Sequence, residues 1–103
     1  MRIEVVGEGT ISQQARRYAE YRVFAALTQF SEADKIQSVR VLLRPVNLGS
    51  GCEGIVCTVT VKLVGSATFR IRTTGTHAYA AINRAVERIR TNAASGMVER
   101  VSV

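Results

Sequence analysis

The segment Thr76-His77-Ala78-Tyr79-Ala80-Ala81-Ile82-Asn83-Arg84-Ala85-Val86-Glu87-Arg88-Ile89-Arg90 decides the fold, because it shows a buried stripe and a charged flank at one period. At about 100° per residue, Ala78, Ile82, Ala85, Val86 and Ile89 fall on one face, and His77, Arg84 and Arg88 share one edge of the opposite face. The segment therefore reads as an amphipathic helix that anchors positive charge, with Thr76 as its cap. Immediately upstream, Phe69-Arg70-Ile71-Arg72 alternates at the strand period, sending Phe69 and Ile71 to one side and the two arginines to the other.

Residues 67–73 form the last of four strands. Residues 55–64 alternate through Ile55, Cys57, Val59, Val61 and Leu63, and residues 36–46 through Val39, Val41 and Leu43. Asn47 to Gly54 reads as a flexible loop, with Pro45 ending the strand before it. The first strand holds Ile3 and Val5 and stops at Gly7 to Gly9. A helix of about five turns follows, capped by Thr10 or Ser12, with Ala15, Ala19, Val23, Ala26 and Phe30 on one face.

The order is βαβββα. Each strand has one apolar face and each helix one apolar stripe, which predicts an α+β fold: a four-stranded mixed sheet with both helices on one side. The helical link makes the first two strands parallel, and the remaining strands antiparallel. The expected core contains Ile3, Val5, Val23, Ala26, Val41, Val59, Ile71, Ile82, Val86 and Ile89. The far side of the sheet carries Arg40, Arg44, Thr58, Thr60, Lys62, Arg70 and Arg72.

A chain of 103 residues accommodates one core. Residues 1–92 are expected to form that domain, and residues 93–103 a weakly ordered tail. Hydrophobic residues make up 47% and the net charge is +6, so the positive charge belongs on a folded surface and not on a basic tail. Between Glu53 and Glu99, the cations Lys62, Arg70, Arg72, Arg84, Arg88 and Arg90 face a single carboxylate, Glu87. Twelve of the fourteen cations are arginine, whose planar fork binds phosphate bidentately and stacks on bases. Composition and spacing thus point to a polyanion. The first helix adds Arg16, Arg17 and Arg22, and its Tyr21 and Phe24 point away from the core as stacking or partner contacts.

Catalytic and metal chemistry find no constellation. One histidine offers no imidazole pair for a metal, and the Cys52 and Cys57 pair has no second pair to close a zinc site. Cys52 and Cys57 are expected to be free thiols, Cys57 in the core. The Gly49 to Gly54 stretch lacks the Gly-Lys-Ser/Thr of a phosphate loop, and the carboxylates are scattered. No cofactor and no enzyme activity are expected. The absence of a signal-like N-terminus and of a spanning apolar run predicts a cytoplasmic protein that does not enter membranes.

Ile3-x-Val5-x-Gly7, Ala15-Arg16-x-Tyr18 with Arg22, and above all Tyr79-Ala80-Ala81-Ile82-Asn83 with Val86 and Arg88 resemble the ribosome hibernation promoting factor family, also called ribosome-associated inhibitor A. The resemblance covers roughly residues 1–92. It implies a non-catalytic binder of the small ribosomal subunit and its rRNA that occupies the mRNA and tRNA channel and inhibits translation or stabilises idle ribosomes under stress. Arg16, Arg22 and Arg88 stand where the family tends to place cations, whereas Arg84 is argued from this sequence alone, as are Arg17, Lys62, Arg70 and Arg72. His77 and Asn83 replace acidic residues usual in the family, Ala25 replaces a lysine and Thr91 a common cation, so the rRNA footprint differs. The chain stops before the extension by which long members pair ribosomes, which favours action on single ribosomes. The alternative is a protein-interaction or self-association domain, such as a weak homodimer, built on Tyr21, Phe24 and the tail from Val98 to Val103.

Overall fold

A computed structural model describes residues 1–30, 33–65 and 67–95. The elements run β1 (Arg2–Gly7), α1 (Gln13–Leu27), a 3-10 turn (Ala33–Lys35), β2 (Ile36–Gly49), β3 (Cys52–Leu63), β4 (Thr68–Gly75) and α2 (Ala78–Ser95). The sheet order is β1-β2-β3-β4, with β1 parallel to β2 and the other pairs antiparallel. This is the expected α+β architecture. Both helices contribute to one core against a single sheet face: Val23, Ala26 and Leu27 of α1 and Ile82, Val86 and Ile89 of α2 join Val41, Val59 and Ile71, all nearly inaccessible to solvent.

Local chemistry explains the ends of the elements. The Ser12 hydroxyl accepts the Ala15 amide at 3.1 Å, so Ser12, one of the two expected caps, starts α1. The Thr76 cap is corrected: the Ala80 amide donates to His77 Nδ1 at 3.2 Å, and His77 supplies the acceptor that begins α2. Helix α1 ends at Leu27, short of Phe30, which is buried outside the helix and stacks on Phe69 with ring centres 5.9 Å apart. Ile3 and Val5 are only half-buried, because β1 is an edge strand. Ala81 and Leu27, absent from the expected core, are fully buried. Val56 is also buried, on the sheet face away from the helices, between Arg44 and Thr74 in register.

The expected loop from Asn47 to Gly54 is instead a two-stranded ribbon in which β2 and β3 pair as far as Gly49 and Cys52. Ser50 at φ 51° and Gly51 at φ 75° form its tip, the left-handed pair of a tight hairpin turn. Pro45 sits within β2, two residues past Leu43, where β1 ends; its missing N–H falls on the side that has no neighbouring strand. Cys57 is a buried free thiol, as expected, and burial pushes it up to about 12; Cys52 is exposed. The expected tail divides. Residues 93–95 continue α2, and the rest lies outside the described residues.

Candidate nucleic-acid interface

The strand β4 is one edge of the sheet, so its outer main-chain groups have no strand partner. Helix α2 supplies partners. Arg84 Nη1 donates to the Thr74 carbonyl at 2.9 Å and Arg88 Nη1 to the Arg72 carbonyl at 3.2 Å. The two arginines lie one helical turn apart, and the two carbonyls are two residues apart in a strand, so successive turns of α2 meet successive outward carbonyls of β4. Each guanidinium has five N–H donors, and a single carbonyl leaves the rest available.

Arg72, Thr74, Asn83, Arg84, Glu87 and Arg88 line a hollow of about 490 Å³ at this edge. Its one carboxylate, Glu87, is turned toward Arg90 at 3.7 Å. Among the described residues the only other ion pair is Glu4–Arg40 at 3.6 Å. The three arginines at the β4 edge are therefore held by neutral carbonyls or left exposed, an arrangement that offers fixed, uncompensated donors to an anion.

The remaining candidates are distributed around the molecule. Lys62, Arg70 and Arg72 project from the sheet face opposite the helices, where Arg70 Nε donates to Thr60 Oγ1 at 3.4 Å. Arg16 and Arg17 line a separate groove of about 570 Å³ beside β1, with Val5, Gln13 and Glu20. Arg16 is partly committed to structure: its Nη2 donates to the Ile11 carbonyl at 3.3 Å, and its Nε, buried without an acceptor, lies 2.8 Å from where a Cβ on Gly7 would be. Arg22 follows Tyr18 by one turn and is half-buried, its Nε also lacking an acceptor. Tyr21 is 70% and Phe24 47% exposed, with Arg17 on the same outer side. The structure thus gathers Arg72, Arg84 and Arg88 at one edge and leaves Arg16 and Arg17 at the other.

Two further hydrogen bonds, which spacing along the chain does not announce, position this interface. The Tyr18 hydroxyl donates to Asn83 Oδ1 at 2.6 Å, and the Tyr18 ring meets Tyr79 edge-on at 5.0 Å. The buried Thr73 hydroxyl donates to the Ala81 carbonyl at 2.7 Å, and a Cβ on Gly75 would lie 2.6 Å from the Ala81 nitrogen. Each residue of Tyr79-Ala80-Ala81-Ile82-Asn83 thus has a packing role: Tyr79 and Asn83 dock on α1, Ile82 fills the core, and the two alanines let the end of β4 approach the helix.

A family model described as Sigma 54 modulation protein / S30EA ribosomal protein matches residues 3–93. The chain belongs to this family. Members of the S30EA family are ribosome-associated proteins without catalytic activity, in agreement with the resemblance carried by the Tyr79–Asn83 segment. Among solved structures, a ribosomal subunit interface protein from Coxiella burnetii is similar, with 20% identity and a TM-score of 0.68 over 92% of this chain and 96% of that one. At that identity the likeness establishes the fold. No curated relative matches the chain. Among the described residues no helix is long and apolar enough to cross a membrane.

Proposed function

We propose that this S30EA family protein docks on the small ribosomal subunit, occupies the mRNA and tRNA channel by pairing its arginines with rRNA phosphates, and so holds the subunit idle in the cytoplasm under stress. The observation that carries the reading is the β4 edge, where Arg84 and Arg88 are fixed by main-chain carbonyls at 2.9 and 3.2 Å beside Arg72 without a carboxylate partner. Guanidinium groups held in this way lose little side-chain freedom on binding, and each phosphate contact releases counterions. Arg16, Arg17, Arg22, Lys62 and Arg70 extend the positive field that steers the protein to RNA. Inhibition is steric: a rigid two-layer domain fills the space that mRNA and tRNA need.

The test is sedimentation of cell extract on a sucrose gradient at low salt, followed by displacement with mRNA and tRNA. The protein should travel with small subunits and be released as mRNA and tRNA are added. Travel with large subunits, or retention at saturating mRNA and tRNA, would contradict the reading.

A further inference from the structure

The two edges of the sheet are finished differently. At β4, Arg84 and Arg88 occupy the outward carbonyls of Thr74 and Arg72. At β1, among the described residues, no side chain bonds the outward main chain. The phase of that strand follows from the Glu8 amide, which donates to the Leu43 carbonyl at 2.9 Å while Gly7 stands opposite Leu43 in register. Val6 and Glu8 therefore turn their main-chain groups toward β2, as does Glu4 by alternation. Ile3, Val5 and Gly7 present their N–H and C=O groups to the outside. The strand, six residues long with Arg2 and Glu4 exposed, has no proline, no bulge and no register shift, three of the devices that blunt an exposed edge.

We propose that β1 pairs antiparallel with β1 of a second copy of this chain, joining the two four-stranded sheets edge to edge about a two-fold axis through Val5. Two observations select this occupant and register. First, outward groups on alternate residues allow self-pairing centred on Val5, which sets Val5 against its mate and Ile3 against Gly7 of the other copy. All three outward residues of each chain are then satisfied. Second, the same register places Arg2 of one chain directly opposite Glu8 of the other, twice by symmetry. Both side chains are exposed, and neither has an ion-pair partner among the described residues. The pairs fall at non-hydrogen-bonded positions, where side chains lie closest. Centring the axis on Glu4 instead would bring Glu4 against its own copy and Arg2 against Val6, with no Arg–Glu pair.

The pairing stands independently of the rRNA reading and is tested without ribosomes. Sedimentation equilibrium from about 10 µM to about 1 mM covers the affinity range of a short-edge dimer. The protein should pass from monomer to dimer over that range. Arg2→Glu should weaken association about tenfold, because two attractive pairs become repulsive. Glu8→Arg should do the same, and the double variant should recover it. Hydrogen exchange by NMR provides an internal control: the Ile3, Val5 and Gly7 amides should slow as concentration rises, and the Glu4 and Val6 amides should not change. A mass that stays monomeric throughout overturns the proposal. So does a dimer whose Ile3, Val5 and Gly7 amides exchange at the monomer rate, which would assign association to Tyr21 and Phe24 or to residues 96–103. A double variant no stronger than either single variant also overturns it.

Discussion

Replacing Gly75 with alanine should loosen the joint that sets the cation-bearing helix on the sheet. Gly75 ends β4 and is buried, and the added methyl would lie 2.6 Å from the Ala81 nitrogen, 2.9 Å from the Ala80 methyl and 3.0 Å from the Ala80 carbonyl carbon. Two of these three contacts are main-chain atoms of α2, so no rotamer change can relieve them. The φ of Gly75 is not positive, which leaves overpacking as the mechanism and a cost of about 1–3 kcal/mol. For a domain of this size each kcal/mol lowers Tm by roughly 4–8 °C, so Gly75→Ala should melt about 5–20 °C below wild type. The assay is thermal unfolding by circular dichroism, with Gly65→Ala as the comparison. Gly65 has φ 96° and no atom within 4 Å of its would-be Cβ, so its penalty is backbone strain alone, about 1–2 kcal/mol. If Gly75→Ala melts with wild type, the first turn of α2 does not press on β4 and the placement of Arg84 and Arg88 at that edge loses its support.

Three further outcomes follow from the packing. Ile82→Ala, which empties a fully buried site, should cost about 2–5 kcal/mol in urea denaturation; a wild-type midpoint would remove Ile82 from the core. Tyr18→Phe deletes the 2.6 Å bond to Asn83 between the two helices and should cost about 0.5–1.5 kcal/mol, with a loss beyond about 3 kcal/mol showing that the hydroxyl does more than join α1 to α2. Burial raises the Cys57 thiol from 9.0 to about 12. Its contribution to stability is thus complete below about pH 9 and lost as pH rises toward 12, because the unfolded chain ionises first. A thiol reagent at pH 8 should titrate Cys52 alone in the native protein and both cysteines in urea, whereas two rapid native reactions would contradict the burial of Cys57.

The parts of this fold that repeat along the chain were legible in the sequence, and the parts fixed by two distant segments were not. Alternation from Val59 to Leu63 and the stripe from Ile82 to Ile89 each report a face, because burial imposes the period of the element on the residue pattern. The ribbon tip reads as loop in the sequence because Pro45 and the glycines from Gly49 to Gly54 signal a break. What they provide is a strand without an outer neighbour and a hairpin turn with two left-handed residues. The candidate site was half legible. Arg84 and Arg88 could be placed on one flank of α2 from spacing, but their hold on the Thr74 and Arg72 carbonyls depends on β4 being an edge, which is a property of the sheet order. Tyr18 and Asn83 are 65 residues apart, and neither residue alone signals the bond.

Arg84→Ala with Arg88→Ala removes two main-chain bonds as well as two charges, so a pair of lysines at the same positions is needed to separate charge from the fork. The most direct test of the account is the affinity of the purified protein for purified small subunits measured across a series of salt concentrations. If Arg84 and Arg88 each neutralise one rRNA phosphate, the double-alanine variant should lower the slope of log affinity against log salt by about 1.4–1.8. The double-lysine variant should keep the slope while losing affinity, and replacing Tyr21 and Phe24 should leave it unchanged. A double-alanine variant that binds with the wild-type slope would contradict the claim that the β4 edge is the rRNA contact.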